Sequence, residues 1–359
     1  MSIHEIILYI MAVFMLLGAL DRIFGGRLGL GKQFEEGIAA MGALALAMIG
    51  ILALSPVLAE VLRPVLGPVF RVFGADPAMF AGSILACDMG GAPLAQALAE
   101  TPEAARLSGI LVGSMLGPTI VFTIPVALGI LREEDRPYLA QGVLAGVITV
   151  PLGVLAGALT AGFPLGMTLR NLIPIALFAL LIALGLWKWE QGMIRGFAVF
   201  GRGVLIVVTI GLAAAIWEHL TGFALIPGMA PLSEGVAVVG EIAVVLAGAF
   251  PLVLVLTKLL RKPLSRLGGL LKINDAAAAG LLASLANSIP MFRRMAEMDR
   301  RGKVVNVAFA VSASFALGDH LGFTAGFDAE MLAPMLVGKL TGGVSAVLAA
   351  LLLARREKK

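Results

Sequence analysis

Charged residues and cysteines are both scarce in this sequence of 359 residues. Aspartate, glutamate, lysine and arginine make up 14% of it, whereas an average soluble domain has about 25%. The single cysteine, Cys87, excludes an internal disulfide and any zinc or iron–sulfur site built from several cysteines. Only three histidines occur, widely separated, and no Gly-Lys-Ser/Thr phosphate loop is present. We therefore expect no metal site, no cofactor and no direct use of ATP.

Apolar residues dominate the sequence instead. They make up 59% of it, and the mean hydropathy of +0.99 excludes a soluble globular enzyme and a disordered chain. The net charge is only +4, from 27 lysines and arginines against 23 aspartates and glutamates, which excludes nucleic acid as a partner. The 44 glycines have no Gly-X-Y period and fit closely packed membrane helices. The composition predicts an all-α polytopic membrane protein in contact with lipid.

Nine apolar stretches predict membrane-spanning helices, since a helix needs about 20 residues to cross a bilayer. In chain order they are 3–20, 37–58, 107–131, 139–159, 172–187, 203–216, 235–256, 304–323 and 331–354.

Two further apolar stretches, 78–99 and 276–291, are interrupted by glycine, proline and polar residues. The interruptions lie at 87–93 and 287–290. Because a break frees backbone groups that lipid cannot satisfy, such segments lie inside protein or beside a water-filled cavity. We predict two re-entrant hairpins, with an ordinary kinked helix as the alternative for each. The residues expected to act as hinges or gates are Gly90, Gly91, Pro93, Pro118, Gly318 and Pro290.

Lysine and arginine are enriched on the cytoplasmic side of membrane proteins, which predicts the orientation. The segments 258–272 and 293–303, read as loops, each carry five of these residues and flank the second interrupted stretch. A hairpin that enters and leaves from the cytoplasm places both loops there. The N-terminus is then outside, and the C-terminus, with Lys358 and Lys359, is cytoplasmic. Of the 27 cationic residues, 22 lie inside and 4 outside, and Lys339 lies within the last span.

Short motifs recur in the same order at an offset close to 198 residues. Ala81-Gly82 matches Ala279-Gly280 at that offset, while 117–123 matches 318–324 and 144–149 matches 336–341 at nearby offsets. We predict one repeat in 1–160 and another in 196–359, each with two helices, a hairpin and two more helices. A linking helix lies in 161–195. The odd number of spans makes the repeats inverted, which in transporters places the binding site near the midplane, where broken segments meet.

Ionisable residues within a bilayer are costly and mark functional sites. Asp88, at the first break, is the leading candidate for binding a cation, with helix capping as its alternative. Asp319 and His320 lie in another break within 316–324, where His320 is either functional or held by an interior hydrogen bond. Glu241 is either a binding residue or an ion partner of Lys339.

Neutral side chains near the breaks are further candidates. Asn287 and Ser288 supply polar groups at the second break. Phe122 and Phe323, which the repeat pairs, can hold a small ammonium by cation–π contact, with core packing as the alternative. The Gly-Asp pair at 318–319 lacks the preceding glycine and the Tyr-Asp segment of intramembrane aspartyl proteases, so no enzyme is predicted.

Six motifs cover essentially the whole chain, at 33–48, 81–91, 113–122, 284–292, 316–325 and 337–343. They resemble those of the bacterial ethanolamine utilisation protein EutH family. The resemblance implies a permease in the bacterial inner membrane, with ethanolamine as its small-molecule substrate, feeding a cobalamin-dependent lyase pathway. It assigns no binding residues.

A carboxylate-lined midplane site suits ethanolamine, which is mostly an ammonium near neutral pH. Its hydroxyl can bond Asn287, Ser288 or Thr119. We predict uptake by alternating access around Asp88, with the hairpins as gates. A passive channel for neutral ethanolamine is one alternative, and a membrane sensor or scaffold without flux is another. Whether the protein forms a homo-oligomer is open.

Overall fold

A computed structural model describes residues 3–356, without the side chains of residues 3, 190, 260–267 and 354–356. This part of the chain contains no strand, which confirms the all-α class. Lys358 and Lys359, which are predicted to be cytoplasmic, are not among the described residues. Its helices are α1 (Ile3–Ile23), α2 (Leu30–Arg71), α3 (Met79–Ile84), α4 (Gly91–Leu98), α5 (Pro102–Arg106), α6 (Leu116–Pro118), α7 (Ile124–Ile130), α8 (Arg136–Val147), α9 (Val150–Thr160), α10 (Leu165–Thr221), α11 (Leu232–Leu271), α12 (Asp275–Ala286), α13 (Ser288–Arg293), α14 (Arg300–Ala313), α15 (Asp319–Phe327) and α16 (Leu332–Arg356).

Most of every predicted span is helical. Within the described residues, seven helices are long and apolar enough to cross a membrane. The count is eight if Pro102–Val112 and Leu116–Ile130, which meet at a bend of 42°, form one span. The predicted span 304–323 is divided between α14 and α15, so the total of nine stays a prediction. The structure is that of a multi-pass membrane protein.

The predicted loop at 258–272 is wrong, because α11 continues to Leu271. Leucines recur there every three or four residues between the cationic positions, as in an amphipathic helix. Lys272 ends the helix in the left-handed conformation, with φ of 55°. The segment around 188–202 is helical too, within α10, but the backbone leaves helical geometry at Trp189 (φ −144°, ψ 51°). This kink separates the linking helix from the next span.

Both interrupted stretches consist of two short helices with a break between them. The first break runs from 85 to 90, between α3 and α4, and the second is confined to Asn287, between α12 and α13. Pro93 and Pro290, predicted to lie in the breaks, are instead in the first turns of α4 and α13. Proline is tolerated there because the N–H groups of a first turn have no partner within the helix. The prolines therefore help to start the second half of each hairpin.

Hydrogen bonds hold the two ends of each hairpin together. The Asp76 carboxylate accepts from the backbone N–H groups of Ala78 (2.8 Å) and Glu100 (2.9 Å), on either side of the first hairpin. Burial raises the pKa of Asp76 above its usual value, although these two bonds act in the opposite direction. At the second hairpin, the backbone N–H of Asn274 donates to Asp299 (2.9 Å). The two ends of each interrupted stretch thus lie next to each other, which excludes a single kinked helix.

The two hairpins start from opposite ends of the bundle. Arg106, just after the first hairpin, pairs with Asp328 (2.7 Å) at the end of α15. Lys303, just after the second hairpin, pairs with Asp135, which follows α7. The helices from α5 to α7 lead from Arg106 towards Asp135 with a bend of only 42°, so these two ion pairs lie a full span apart.

Equivalent glycines of the two hairpins pack against equivalent polar residues. A Cβ at Gly82 would lie 2.9 Å from Ser108 Oγ, and a Cβ at Gly280 would lie 2.4 Å from Asn306 Oδ1. Gly82 N–H donates to Ser108 Oγ (3.1 Å), while Asn306 Nδ2 donates to Ala277 O (2.9 Å). Residues 82 and 280, like residues 108 and 306, are 198 positions apart, the offset of the sequence repeat. At this contact, each hairpin places a glycine against a polar side chain of a helix that follows it.

Substitution of Gly50 tests the close packing of α2 against α10. A Cβ at Gly50 would lie 1.9 Å from Val208 O, whereas a Cβ at Gly42, also in α2, meets nothing within 4 Å. We expect Gly50→Val to cost roughly 1–3 kcal/mol through overpacking. Gly42→Val carries the same change in helix propensity and is the matched control. Thermal unfolding of the two purified variants in detergent measures the difference; equal melting temperatures would contradict this packing.

Candidate functional site

Asp88 and Asp319, selected from the sequence, line one cavity of about 230 Å³. A water molecule takes up about 30 Å³ in the liquid, so the cavity has room for a small organic molecule with water. One wall is apolar and comes from α2 and α11, and the other comes from the broken segments. The lining residues are Ala40, Ala43, Leu44, Ala47, Ala86, Asp88, Met89, Pro118, Phe122, Leu246, Phe315, Asp319 and His320.

The break between α3 and α4 positions Asp88. Leu85 and Ala86 are extended, and Asp88 follows in a 3₁₀ turn. Cys87 N–H donates to Gly113 O (2.6 Å), which satisfies a backbone group that the break frees. Gly90 then begins α4 as its N-cap, with φ of 91°. Since the cap position is Gly90, helix capping does not account for Asp88.

A second break, from 314 to 318, positions Asp319 and His320. Phe315 is left-handed there, with φ of 64°. Its N–H donates to Ser284 O (3.0 Å), and the N–H of Leu317 donates to Leu285 O (2.8 Å). The sequence placed Asp319 and His320 inside the break, but they are the first two residues of α15. A carboxylate at this end of a helix is stabilised by the helix dipole.

Lys339, His320 and Asp88 form a chain of polar contacts beside the cavity. Lys339, on α16, is 1% exposed, and its ammonium donates to Ser114 O. Its Nζ also lies 3.0 Å from His320 Nδ1. On the other side of the ring, His320 Nε2 lies 3.6 Å from Asp88 Oδ1. With Lys339 protonated, its ammonium only donates, so His320 Nδ1 accepts and the ring proton is on Nε2, facing Asp88.

Lys339 contacts the site residue His320 but was not predicted from the sequence to be part of the site. The only signal was a lysine inside an otherwise apolar span, for which Glu241 was offered as the ion partner. Glu241 is exposed on α11 and does not line the cavity. The Glu241–Lys339 pair is not among the ion pairs of the described residues, because the Lys339 ammonium is directed at Ser114 and His320. The predicted binding role of Glu241 gains no support from this placement.

Phenylalanines form the aromatic part of the cavity wall. Phe122 and Phe315 meet edge to face, with ring centroids 5.6 Å apart. Phe315 also contacts the His320 ring at 5.2 Å. The sequence repeat paired Phe122 with Phe323 instead. Phe323 is fully buried, stacks on Phe327 at 5.0 Å and lies outside the cavity lining.

The neutral polar candidates also lie outside the lining of this cavity. Asn287 accepts a hydrogen bond from Ile289 N–H (2.8 Å), which caps α13. Ser288 is buried, as is Thr119, whose hydroxyl donates to Met115 O (2.8 Å). These hydrogen bonds give Asn287 and Thr119 structural roles. The binding roles of Asn287, Ser288 and Thr119 stay predictions.

The predicted hinge residues differ in what they do. Gly90 is the last residue of the first break, Gly91 begins α4, and Pro118 lines the cavity. Gly90 lies against α2, where an added Cβ would be 1.6 Å from Ile51 Cγ2. Gly318 lies against the second hairpin, where an added Cβ would be 2.1 Å from Ala286 O. These glycines allow the breaks to approach neighbouring helices, and their role as hinges stays a prediction.

The side chains of Cys87, Asp88 and His320 bring three metal-ligand atoms within 4.8 Å of one another. Their spacing in sequence did not predict this grouping. A metal-binding histidine normally donates its second ring N–H to an acceptor, whereas the second ring nitrogen of His320 faces the Lys339 ammonium. That positive charge also repels a metal ion. The cluster is therefore poorly suited to a metal ion and better suited to a ligand with a single positive charge.

Membrane-spanning helices around a half-open cavity that two carboxylates line define a polytopic membrane protein with a polar site. The family model "Ethanolamine utilisation protein, EutH" matches residues 3–353, and the chain belongs to this family.

Relatives with this name are similar over most of their length. The chain is 60% identical over 325 residues to "Probable ethanolamine permease EutH" of Listeria monocytogenes, covering 90% of this chain and 87% of the relative. It is 51% identical to the protein of the same name from Salmonella typhimurium and 50% identical to that from Escherichia coli. Each of these two matches covers 90% of this chain and 89% of the relative. No solved structure matches the chain.

Substitution of Gly90 tests the geometry of the first break. Alanine there meets both a positive φ and the Ile51 side chain. We expect Gly90→Ala to cost at least about 1–2 kcal/mol, since a left-handed non-glycine residue alone costs that much. Gly129→Ala, where an added Cβ meets nothing within 4 Å, is the control. Thermal unfolding in detergent is the measurement, and a Gly90→Ala protein as stable as the control would contradict this geometry.

Proposed function

We propose that the chain transports ethanolamine across the membrane, binding its ammonium form in the Asp88–Asp319 cavity. The curated relatives that carry the name ethanolamine permease support the substrate. Those names also favour a transporter over an enzyme. The observation that carries the proposal is that two carboxylates line one cavity.

The charges around the cavity favour a ligand with a single positive charge. Asp88 and Asp319 supply two carboxylates, and Lys339 supplies one ammonium. His320 is neutral in the arrangement described above. With both carboxylates ionised, one negative charge is unbalanced, and an uncompensated buried charge is costly. A monovalent organic cation removes this imbalance.

The remaining walls of the cavity suit a short aminoalcohol. Phe122 and Phe315 can contact an ammonium through their ring faces, an interaction that gains strength when water is excluded. The alanine and leucine side chains of α2 contact the methylene groups. The substrate hydroxyl has Asp319 or His320 as its nearest polar partners on the lining.

Alternating access is the mechanism that we propose. It is supported by two hairpins that start from opposite ends of the bundle, each packed against a broken helix. It is also supported by the matched glycine packing at an offset of 198 residues. On this basis the repeats in 1–160 and 196–359 are inverted, and the cavity lies near the midplane, where transporters with inverted repeats bind their substrates. Movement of a hairpin against its broken helix would open the cavity to one side at a time.

The carboxylates provide the test. We expect Asp88→Asn and Asp319→Asn each to reduce saturable uptake of labelled ethanolamine into liposomes at least about tenfold. A tenfold change in affinity corresponds to about 1.4 kcal/mol, less than the loss of a typical buried charge pair. Glu241→Gln is the matched control, because it removes an exposed carboxylate outside the cavity.

Three results would contradict this proposal. Unchanged uptake in both aspartate variants would show that the cavity does not bind the transported substrate. Uptake that rises linearly with concentration and never saturates would favour a passive channel for neutral ethanolamine. Uptake no faster than in protein-free liposomes, with folded wild-type protein, would favour a sensor or scaffold without flux.

A further inference from the structure

We propose that the cavity is also a proton-binding site, and that each ammonium that binds displaces one proton from it. This inference rests on the proposed function, and it makes the protein an exchanger of an organic ammonium for a proton. It follows from the number and placement of charges around the cavity.

All titratable side chains on the cavity lining come from the two broken segments. The first break supplies Asp88, with Cys87 directly behind it, and α15 supplies Asp319 and His320. Lys339 approaches His320 from α16. The helices α2 and α11 contribute only alanine and leucine to the lining. No other described ionisable side chain lines the cavity, so these five residues determine its charge.

In this proposal Lys339 is the internal cation. Its ammonium donates to Ser114 O, a backbone carbonyl in the bend between α5 and α6. It also donates to His320 Nδ1 at 3.0 Å. Lys339 is 1% exposed and does not line the cavity. It therefore balances one of the two carboxylates without occupying the space of a substrate.

The second carboxylate needs another positive charge whenever the cavity holds no substrate. Two carboxylates that share a buried site do not both ionise readily, and the usual solution is a proton on one of them. His320 is neutral in this arrangement, so its Nε2, 3.6 Å from Asp88 Oδ1, adds no positive charge to the cavity. The empty cavity thus holds one exchangeable proton on its carboxylate pair.

Substrate binding then follows a balanced exchange. The protonated carboxyl pair and an ammonium substrate give the ionised pair with bound ammonium, and one proton leaves to water. No covalent bond to carbon forms or breaks, and the net charge of the cavity is the same before and after. Because both the empty and the loaded cavity are neutral, neither form buries an uncompensated charge when the hairpins move.

Ethanolamine binding to the purified wild-type protein provides the first test. Isothermal titration calorimetry is performed in two buffers with different heats of ionisation, from about pH 5.5 to 8, where an alkylamine stays protonated. We expect release of about one proton per ethanolamine bound. Since protons compete for the same carboxylates, Kd should rise about tenfold for each pH unit towards the acidic end of this range.

Lys339→Gln provides the second test, because it removes the internal cation but keeps a hydrogen-bond donor for Ser114 and His320. Without that charge the carboxylates hold their protons more tightly. We expect the dependence of Kd on pH to move about 1–3 units to higher pH, as for the loss of a close opposite charge. Glu241→Gln should show the same dependence of Kd on pH as the wild type.

Binding without proton release, with a Kd that does not change over this pH range, would overturn the inference and leave the proposed function intact. Absence of any ethanolamine binding by folded wild-type protein would overturn the proposed function together with it. If Lys339→Gln does not fold, the wild-type calorimetry decides alone. An unshifted profile in a folded Lys339→Gln protein would exclude Lys339 as the balancing charge.

Discussion

The backbone groups at the broken helices are the constraint on which this structure depends. Inside a membrane bundle a break in a helix leaves N–H and C=O groups that lipid cannot bind. Here the breaks satisfy one another: Cys87 N–H donates to Gly113 O, and Phe315 N–H donates to Ser284 O. Each hairpin is thereby joined to the broken helix that follows it. Glycines at the contact points make this approach possible, since a Cβ at Gly117 would lie 1.9 Å from Leu85 O.

A further contact, between the turn that carries Asp88 and helix α15, brings the charged side chains together. Asp88 lies in the break of the first hairpin and Asp319 directly after the break between α14 and α15, and both line one cavity. Lys339 enters from α16 and reaches both a freed carbonyl, that of Ser114, and the His320 ring. One lysine therefore contacts both the backbone of the broken helix and a side chain of the cavity lining.

Sequence reasoning predicted the features that are local along the chain. Glycine and proline in apolar stretches indicated both hairpins, and lone carboxylates in such stretches indicated Asp88 and Asp319. It missed Phe315 and the role of Lys339, because their partners are distant in sequence and depend on how the helices pack. It also read 258–272 as a loop from its charges, although the leucine spacing permits a helix. The prolines at 93 and 290 were assigned to the breaks because a proline that interrupts a helix and one that starts a helix look alike in sequence.

The central claim is that the contact between the turn that carries Asp88 and helix α15 creates the substrate site. An experimental structure of the protein with ethanolamine bound tests it most directly. The account predicts the ammonium between Asp88 and Asp319, against the rings of Phe122 and Phe315. Ethanolamine bound elsewhere, for example at Asn287 and Ser288 with the Asp88 cavity filled only by water, would contradict it.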